Sequence, residues 1–175
     1  EEDSEQCNLV LLESPVLLNH ELSTLKAHLN QVTTEIDCTY DINSKTDFLN
    51  EIQRVCAEAE QAVRSGSQHL VITDKNISKD RIALPMILAT SAVHSYLVKN
   101  NLRTFTSLNV SSLECLDVHY FAVLIGVGAT TVNASLIENI VSDRLNKSIY
   151  QNISYSTLLK NYKKAIEKGL RKIIS

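Results

Sequence analysis

Four short runs of strand-favouring residues begin near residues 34, 69, 103 and 130, and a stretch of helical periodicity follows each. Spacings of roughly 25 to 35 residues match strand–helix–strand crossovers. Repeated crossovers of this kind imply a mostly parallel sheet with helices on its faces. The expected fold is therefore α/β, built of repeated β-α units. Four units are half of an eight-fold barrel, which leaves a half-barrel-like, reduced TIM-type domain or a small open sheet.

The individual elements support this order. Val32–Tyr40 contains Thr33, Thr34, Ile36 and Cys38, a β-favouring mix. From about Asp47 to Arg64, Phe48, Leu49, Ile52, Val55, Cys56, Ala59, Ala62 and Val63 form one 3.6-residue stripe, with Ser44 or Thr46 as cap and Gly66 as stop. His69–Thr73 reads as a buried parallel strand. Pro85 opens a helix that runs to about Lys99 and is apolar around much of its circumference. Arg103–Val110 is the third predicted strand and Leu113–Ile125 the third long helix, closed by Gly126 and Gly128. Thr130–Asn133 is a short fourth strand, and Asn133 is placed to cap a helix over Ser135–Leu145. A final helix from about Ser156 gathers Leu159, Tyr162, Ile166, Leu170 and Ile173 on one side. Ahead of the first strand, Glu1–Ser14 reads as a connecting strand or extended arm, and Asn19 is placed to cap a short helix over Glu21–Leu29.

Composition narrows the class. With 175 residues, 44% hydrophobic and 21% charged, the chain suits one packed domain. Only 4 glycines and 2 prolines interrupt it, which favours regular structure. The apolar runs are too short to span a bilayer, and no signal-peptide pattern opens the chain, so a membrane partner is not expected. The net charge of −3 gives no reason to expect a polyanionic partner such as nucleic acid. Its distribution is uneven: residues 1–60 hold 13 acids and 3 bases, whereas residues 144–175 hold 1 acid and 8 bases. The basic last helix, with its apolar stripe and few aromatics, reads as a packed helix with a solvated face. The start at Glu1 and the abrupt end at Ser175 suggest a piece of a longer polypeptide.

Candidate chemistry is sparse. Cys7, Cys38, Cys56 and Cys115 form no Cys-x-x-Cys pair, which argues against a zinc ribbon or iron–sulfur cluster in this stretch. Cys38 and Cys56 fall on apolar faces and read as buried thiols. Asn76, Asn109, Asn133, Asn146 and Asn152 head Asn-x-Ser sequons that we take as chance. Asp74 and Lys75 follow the second strand, at the carboxyl end where parallel sheets bind ligands, although a solvated loop is the plainer reading. His94 and His119 lie on successive helices and are able to meet, or else serve as ordinary packed histidines. Gly126-Val127-Gly128 follows a helix rather than a strand, the wrong order for a phosphate loop. A helix stop and tight turn is its reading.

Specific strings go further. Leu12–Asn19 (Leu-Glu-Ser-Pro-Val-Leu-Leu-Asn), Cys56–Arg64, Thr73-Asp74-Lys75, the Pro85–Val93 helix and Asn101–Thr104 resemble the central domain of glutamate synthase. Val118–Gly126 followed by Gly128-Ala129 is the most specific match, and Tyr162–Leu170 resembles the start of that family's synthase domain. The resemblance implies a parent that makes two glutamates from glutamine, 2-oxoglutarate and two electrons. It implies an amidotransferase domain releasing ammonia, a tunnel, and a synthase barrel with FMN and a [3Fe–4S] cluster. This stretch would be the non-catalytic connector that docks the two and helps enclose the ammonia path, with no cofactor or metal of its own. Residues 1–152 would form the central domain, and 153–175 a basic helix leading into the next. The candidate interdomain or tunnel contacts are Asp74, Lys75, His94, His119, Gly126, Gly128 and Asn133. The implied location is cytoplasm or plastid stroma. The chain departs from the family's usual His-His-His-Leu at His94–Leu97 and from Asn-Pro-Tyr-Leu at Asn133–Leu136. Two other readings stand beside it: a free-standing module binding a ligand at the Asp74 loop, and a half-barrel that forms homo-oligomers through its open edge.

Overall fold

A computed structural model describes residues 10–44, 47–147, 149 and 152–175. The strands are β1 (Val16–Leu17), β2 (Thr33–Asp37), β3 (Thr39–Asp41), β4 (His69–Thr73), β5 (Arg81–Ala83), β6 (Ser107–Ser112) and β7 (Thr131–Ala134). The helices are α1 (Asn19–His28), α2 (Phe48–Arg64), α3 (Met86–Lys99), α4 (Val118–Gly126), α5 (Ile137–Asn146) and α6 (Tyr155–Ile174).

Five strands form one sheet in the order β1-β7-β6-β4-β2, and every pairing is parallel. Strands β2, β4, β6 and β7 lie side by side in chain order, joined by α2, α3 and α4. Strand β1 then adds at the far edge, beside β7. A closed barrel would bring β1 round to β2; here that seam is open, which makes the sheet a half-barrel-like α/β fold. Strands β3 and β5 form a small antiparallel pair. It is tied to the carboxyl ends of β2 and β4 through Cys38, whose amide donates to the Thr73 carbonyl at 2.8 Å.

Alternation along the strands sends two sets of side chains to opposite faces. Val16, Ile36, Leu70, Ile72, Leu108, Val110 and Val132 point outward into the main core. There they meet Val55 and Ala59 of α2, Met86, Val93 and Leu97 of α3, Phe121 and Leu124 of α4, and Ile166 and Leu170 of α6. The basic last helix thus belongs to the core through Leu159, Ile166 and Leu170, while Ile173 is exposed. Its approach to α4 is close: a Cβ on Gly169 would come within 2.4 Å of Val118. The thiols of Cys38, Cys56 and Cys115 are buried; Cys7 lies outside the described residues.

Several boundaries differ from expectation, each for a local reason. Val16–Leu17 is a strand because the Val132 amide donates to the Pro15 carbonyl and continues the ladder. Asp47, not Ser44, caps α2 by accepting from the Asn50 amide at 2.8 Å; Thr46 lies outside the described residues. The third strand begins only at Ser107, because Arg103–Phe105 forms a 3₁₀ turn stapled by the Arg103 guanidinium. Helix α4 begins at Val118, capped by Asp117 through the Tyr120 amide, since Leu113 and Cys115 are pulled toward Asp74 and the core. Asn133 lies within β7 and caps nothing, and Asn19 is the first residue of α1 rather than its cap.

Candidate functional site

The carboxyl ends of the strands gather the polar residues that matter most. Asp74, just past β4, is fully buried. Its two oxygens accept from the Leu113 amide at 2.9 and 3.0 Å, and one accepts from the Ser112 hydroxyl at 3.2 Å. Burial raises its pKa, and these hydrogen bonds oppose that rise without cancelling it. Asp74 is therefore a clasp between β4 and the segment leading to α4. Lys75 turns the other way, toward Glu35 on β2, which it shares with Lys26 of α1. Burial works against ionisation of Glu35, but the two ammonium groups overcome it and hold its pKa below the usual carboxylate range.

The inward face of the sheet is polar. Ser107, Asn109 and Ser111 alternate along β6, opposite His69, Val71 and Thr73 of β4. Thr131 donates to Asn109 Oδ1 at 2.7 Å, and Asn109 Nδ2 donates to the Leu70 carbonyl at 3.1 Å. One layer on, Ser111 donates to Asn133 Oδ1 at 2.9 Å. Asn133 Nδ2 spends its two hydrogens on the Leu17 carbonyl and on Asn19 Oδ1. Asn133 thus joins β6, β7, β1 and α1. Asn109 and Asn133 are both buried, so their sequons cannot serve as sugar acceptors in this fold.

Helix α1 lies across this inner face, opposite α2, α3 and α4. Glu138 of α5 accepts from the Asn19 amide at 2.8 Å. Glu21 accepts from the Leu18 amide and pairs with Lys163 of α6 at 2.6 Å. Between α1 and the sheet remains a cavity of about 240 Å³, lined by Lys26, Glu35, Thr73, Lys75, Ser111 and Ser135 among others.

A second cluster sits at the amino ends of the strands. Arg103 donates through Nε to His94 Nδ1 at 3.1 Å, and through its terminal nitrogens to the carbonyls of Thr106 and Gly128 at 2.6 and 2.9 Å. Burial, then the Arg103 charge, lowers the His94 pKa, and burial lowers that of Arg103. Gly128 has φ +118°, and a Cβ there would come within 2.3 Å of the His94 ring. His94 and Gly128 are thus neighbours. His119 is exposed in the first turn of α4, whereas His94 lies in the second half of α3. No hydrogen bond joins the two histidines among the described residues. Gly126 is an exposed helix end.

Arg103, Glu35, Lys26 and Asn109 were not among the expected site residues. The Ser107-x-Asn109-x-Ser111 alternation is the sequence signal for Asn109, and it runs against the general tendency of crossover strands to be apolar on both faces. Burial pushes the Cys38 and Cys115 thiols up to about 12, leaving both without nucleophilic thiolate at neutral pH. His69 Nδ1 meets the Ser107 hydroxyl at 2.7 Å, which fixes the ring against β6, while its Nε2 is buried with no partner among the described residues. Among the described residues no three His, Cys, Asp or Glu side chains are placed to hold a metal ion, and no helix is long and apolar enough to cross a membrane.

These features define an α/β half-barrel whose buried polar residues tie its strands to one another and to α1. Residues 1–175 match the glutamate synthase central domain family, and the chain belongs to that family. It is 45% identical over 176 residues to the glutamate synthase [NADPH] large chain of Azospirillum brasilense, which covers 100% of this chain and 12% of the relative. It is 35% identical over 184 residues to the chloroplastic ferredoxin-dependent glutamate synthase of Spinacia oleracea, covering 98% of this chain and 11% of the relative. It is 32% identical over 180 residues to the glutamate synthase [NADH] of Schizosaccharomyces pombe, covering 97% and 8%. The chain thus spans about a tenth of the length of these relatives.

Proposed function

We propose that this chain is the connecting domain of a longer glutamate synthase, docking an amidotransferase domain against an FMN-binding synthase domain. The parent reaction converts glutamine, 2-oxoglutarate and two electrons into two glutamates, with the connector helping to enclose the ammonia path. The observation that favours this reading is the whole-length match to a family whose full chains are some eight times longer. Among the described residues Cys38 lies between β2 and β3, Cys56 in α2 and Cys115 between β6 and α4, and they are not placed together to hold a [3Fe–4S] cluster. FMN and the cluster belong, on this reading, to the synthase domain.

The docking face we assign is the apolar groove of about 620 Å³ between α2 and α3, lined by Ile52, Cys56, Ala57, Ala92 and Tyr96. Its occupant is a neighbouring domain of the same parent chain, since nearly nine-tenths of the relative's length lies outside this stretch. Helix α6 leads onward into the synthase domain. The compartment is the cytoplasm or, in a plastid-bearing cell, the stroma.

Two measurements test this. An antibody to this domain should detect a polypeptide many times larger than 19.5 kDa in the source cells; a band near that mass removes the parent. Hydrogen exchange along α2 and α3 should be slower in the parent polypeptide than in the excised chain. Equal exchange overturns the assigned face. The excised chain should neither release ammonia from glutamine nor show flavin absorbance.

A further inference from the structure

The cavity beneath α1 holds more hydrogen-bond donors than acceptors. Lys26 and Lys75 bring three ammonium hydrogens each, and each spends one on Glu35. The acceptors deeper in are already used: Asn133 Oδ1 takes the Ser111 hydroxyl, and Asn19 Oδ1 takes Asn133 Nδ2. Ser135 Oγ is buried and has no partner among the described residues, an expensive condition for a hydroxyl. Two ammonium groups against one carboxylate leave the lining with a net charge of +1. The group such a lining lacks is a negatively charged acceptor.

Position and size narrow the choice. The cavity opens at the carboxyl ends of parallel strands, the end at which α/β folds place ligands. Its roughly 240 Å³ is below the range of ordinary cofactor pockets, and equals about eight waters at ~30 Å³ each. That admits one small ion with part of its hydration shell, and excludes a nucleotide. Its rim joins α1, through Ser23 and Lys26, to β2 and β4, through Glu35 and Lys75. The cavity thus lies between α1 and the inner face of β2, β4, β6 and β7.

We propose that this cavity binds a small oxyanion, of the carboxylate or phosphate type, held by Lys26, Lys75 and the Ser135 hydroxyl. The bound anion bridges α1 to the carboxyl end of β4. The site is independent of the connector role above, since it needs nothing outside this chain.

The test is a titration of the 175-residue chain, followed by amide chemical shifts and by melting temperature. Sodium phosphate and sodium malonate are compared with sodium chloride at constant ionic strength. Saturable shifts confined to α1, β4 and the β7–α5 turn are expected. A response to phosphate alone assigns a phosphate-type ligand, a response to malonate alone a carboxylate-type ligand, and a response to both a general oxyanion site. Lys75 is half-exposed, so Lys75→Met should fold and bind the responding anion about tenfold more weakly. Ser135→Ala should weaken binding while leaving the melting temperature of the unliganded chain unchanged or higher, which a merely structural hydroxyl would not do. The distant Lys147→Met should titrate as the unmodified chain. Shifts no larger than those in chloride overturn the proposal, as does a Lys75→Met titration that matches the unmodified chain.

Discussion

The two faces of the five-stranded sheet use the same strands and opposite physics. The outer face is apolar and covered by α2, α3, α4 and α6, with Ile36, Leu70, Ile72, Leu108 and Val132 almost fully buried. The inner face is crossed by hydrogen bonds from Thr131 to Asn109 and from Ser111 through Asn133 to α1. Burial on the outside is non-directional and tolerates many apolar sequences. On the inside, each buried polar atom needs one specific partner. The comparison shows how five strands lie in order without closing: packing supplies stability, while the polar layers fix which strand stands beside which.

The largest effect should come from the outer face. Phe121→Ala removes a fully buried ring from the centre of the helix layer and should cost about 3–5 kcal/mol in urea unfolding. A loss below about 1 kcal/mol would break the assignment of the dominant core to this side. Gly128→Ala should follow at about 2–3 kcal/mol, since φ is +118° and the new methyl meets the His94 ring. His94→Ala in the same chain should recover part of that loss, because it removes the clash and leaves the backbone strain. Equal losses in the single and double variants would show that the ring is not the obstacle.

On the inner face, Asn133→Ala leaves the Leu17 carbonyl, the Asn19 side chain and the Ser111 hydroxyl without their partner. We expect a loss of about 1–3 kcal/mol, with amide exchange rising first in β1 and α1. A loss spread evenly over all strands would mean that Asn133 packs rather than specifies.

How much of this was legible in the sequence follows the same division. The outer layer announced itself: α2 and the His69–Thr73 strand were readable within a residue or two, because packing imposes 3.6-residue stripes and short apolar runs. The parallel α/β order followed from their spacing. Two-residue β1 was too short to leave a pattern, and the 3₁₀ turn at Arg103 depends on carbonyls at Thr106 and Gly128. Asp74 was legible as a strand-end acid, but not as a clasp, because its partners at Ser112 and Leu113 lie nearly forty residues away. Lys75 was legible only as a member of the same loop. Nothing local tells a lysine that solvates a loop from one that lines a cavity.

The smallest effect sharpens the comparison through two carboxylates of opposite sign. Glu35, between Lys26 and Lys75, has its pKa lowered in the fold. Its stabilisation is therefore present above the unfolded value of about 4.3 and is lost as pH falls through the folded one. Asp74 has its pKa raised by burial. Its protonated form is favoured in the fold, so its contribution is present below about pH 3.9 and is lost as pH rises through the folded value. Glu35→Gln should flatten the acid-side decline of melting temperature between about pH 5 and 3. Asp74→Asn should steepen it, because removing Asp74 deletes the one contribution of the two that grows as pH falls. Both slopes are read from thermal melts at constant ionic strength, with the Glu35 effect shrinking as salt is added because its lysine partners are part-exposed. If Asp74→Asn flattened the profile instead, its carboxylate would have to be stabilised by the hydrogen bonds from Ser112 and Leu113 more than burial disfavours it. The clasp at the carboxyl end of β4 would then be an ionic one.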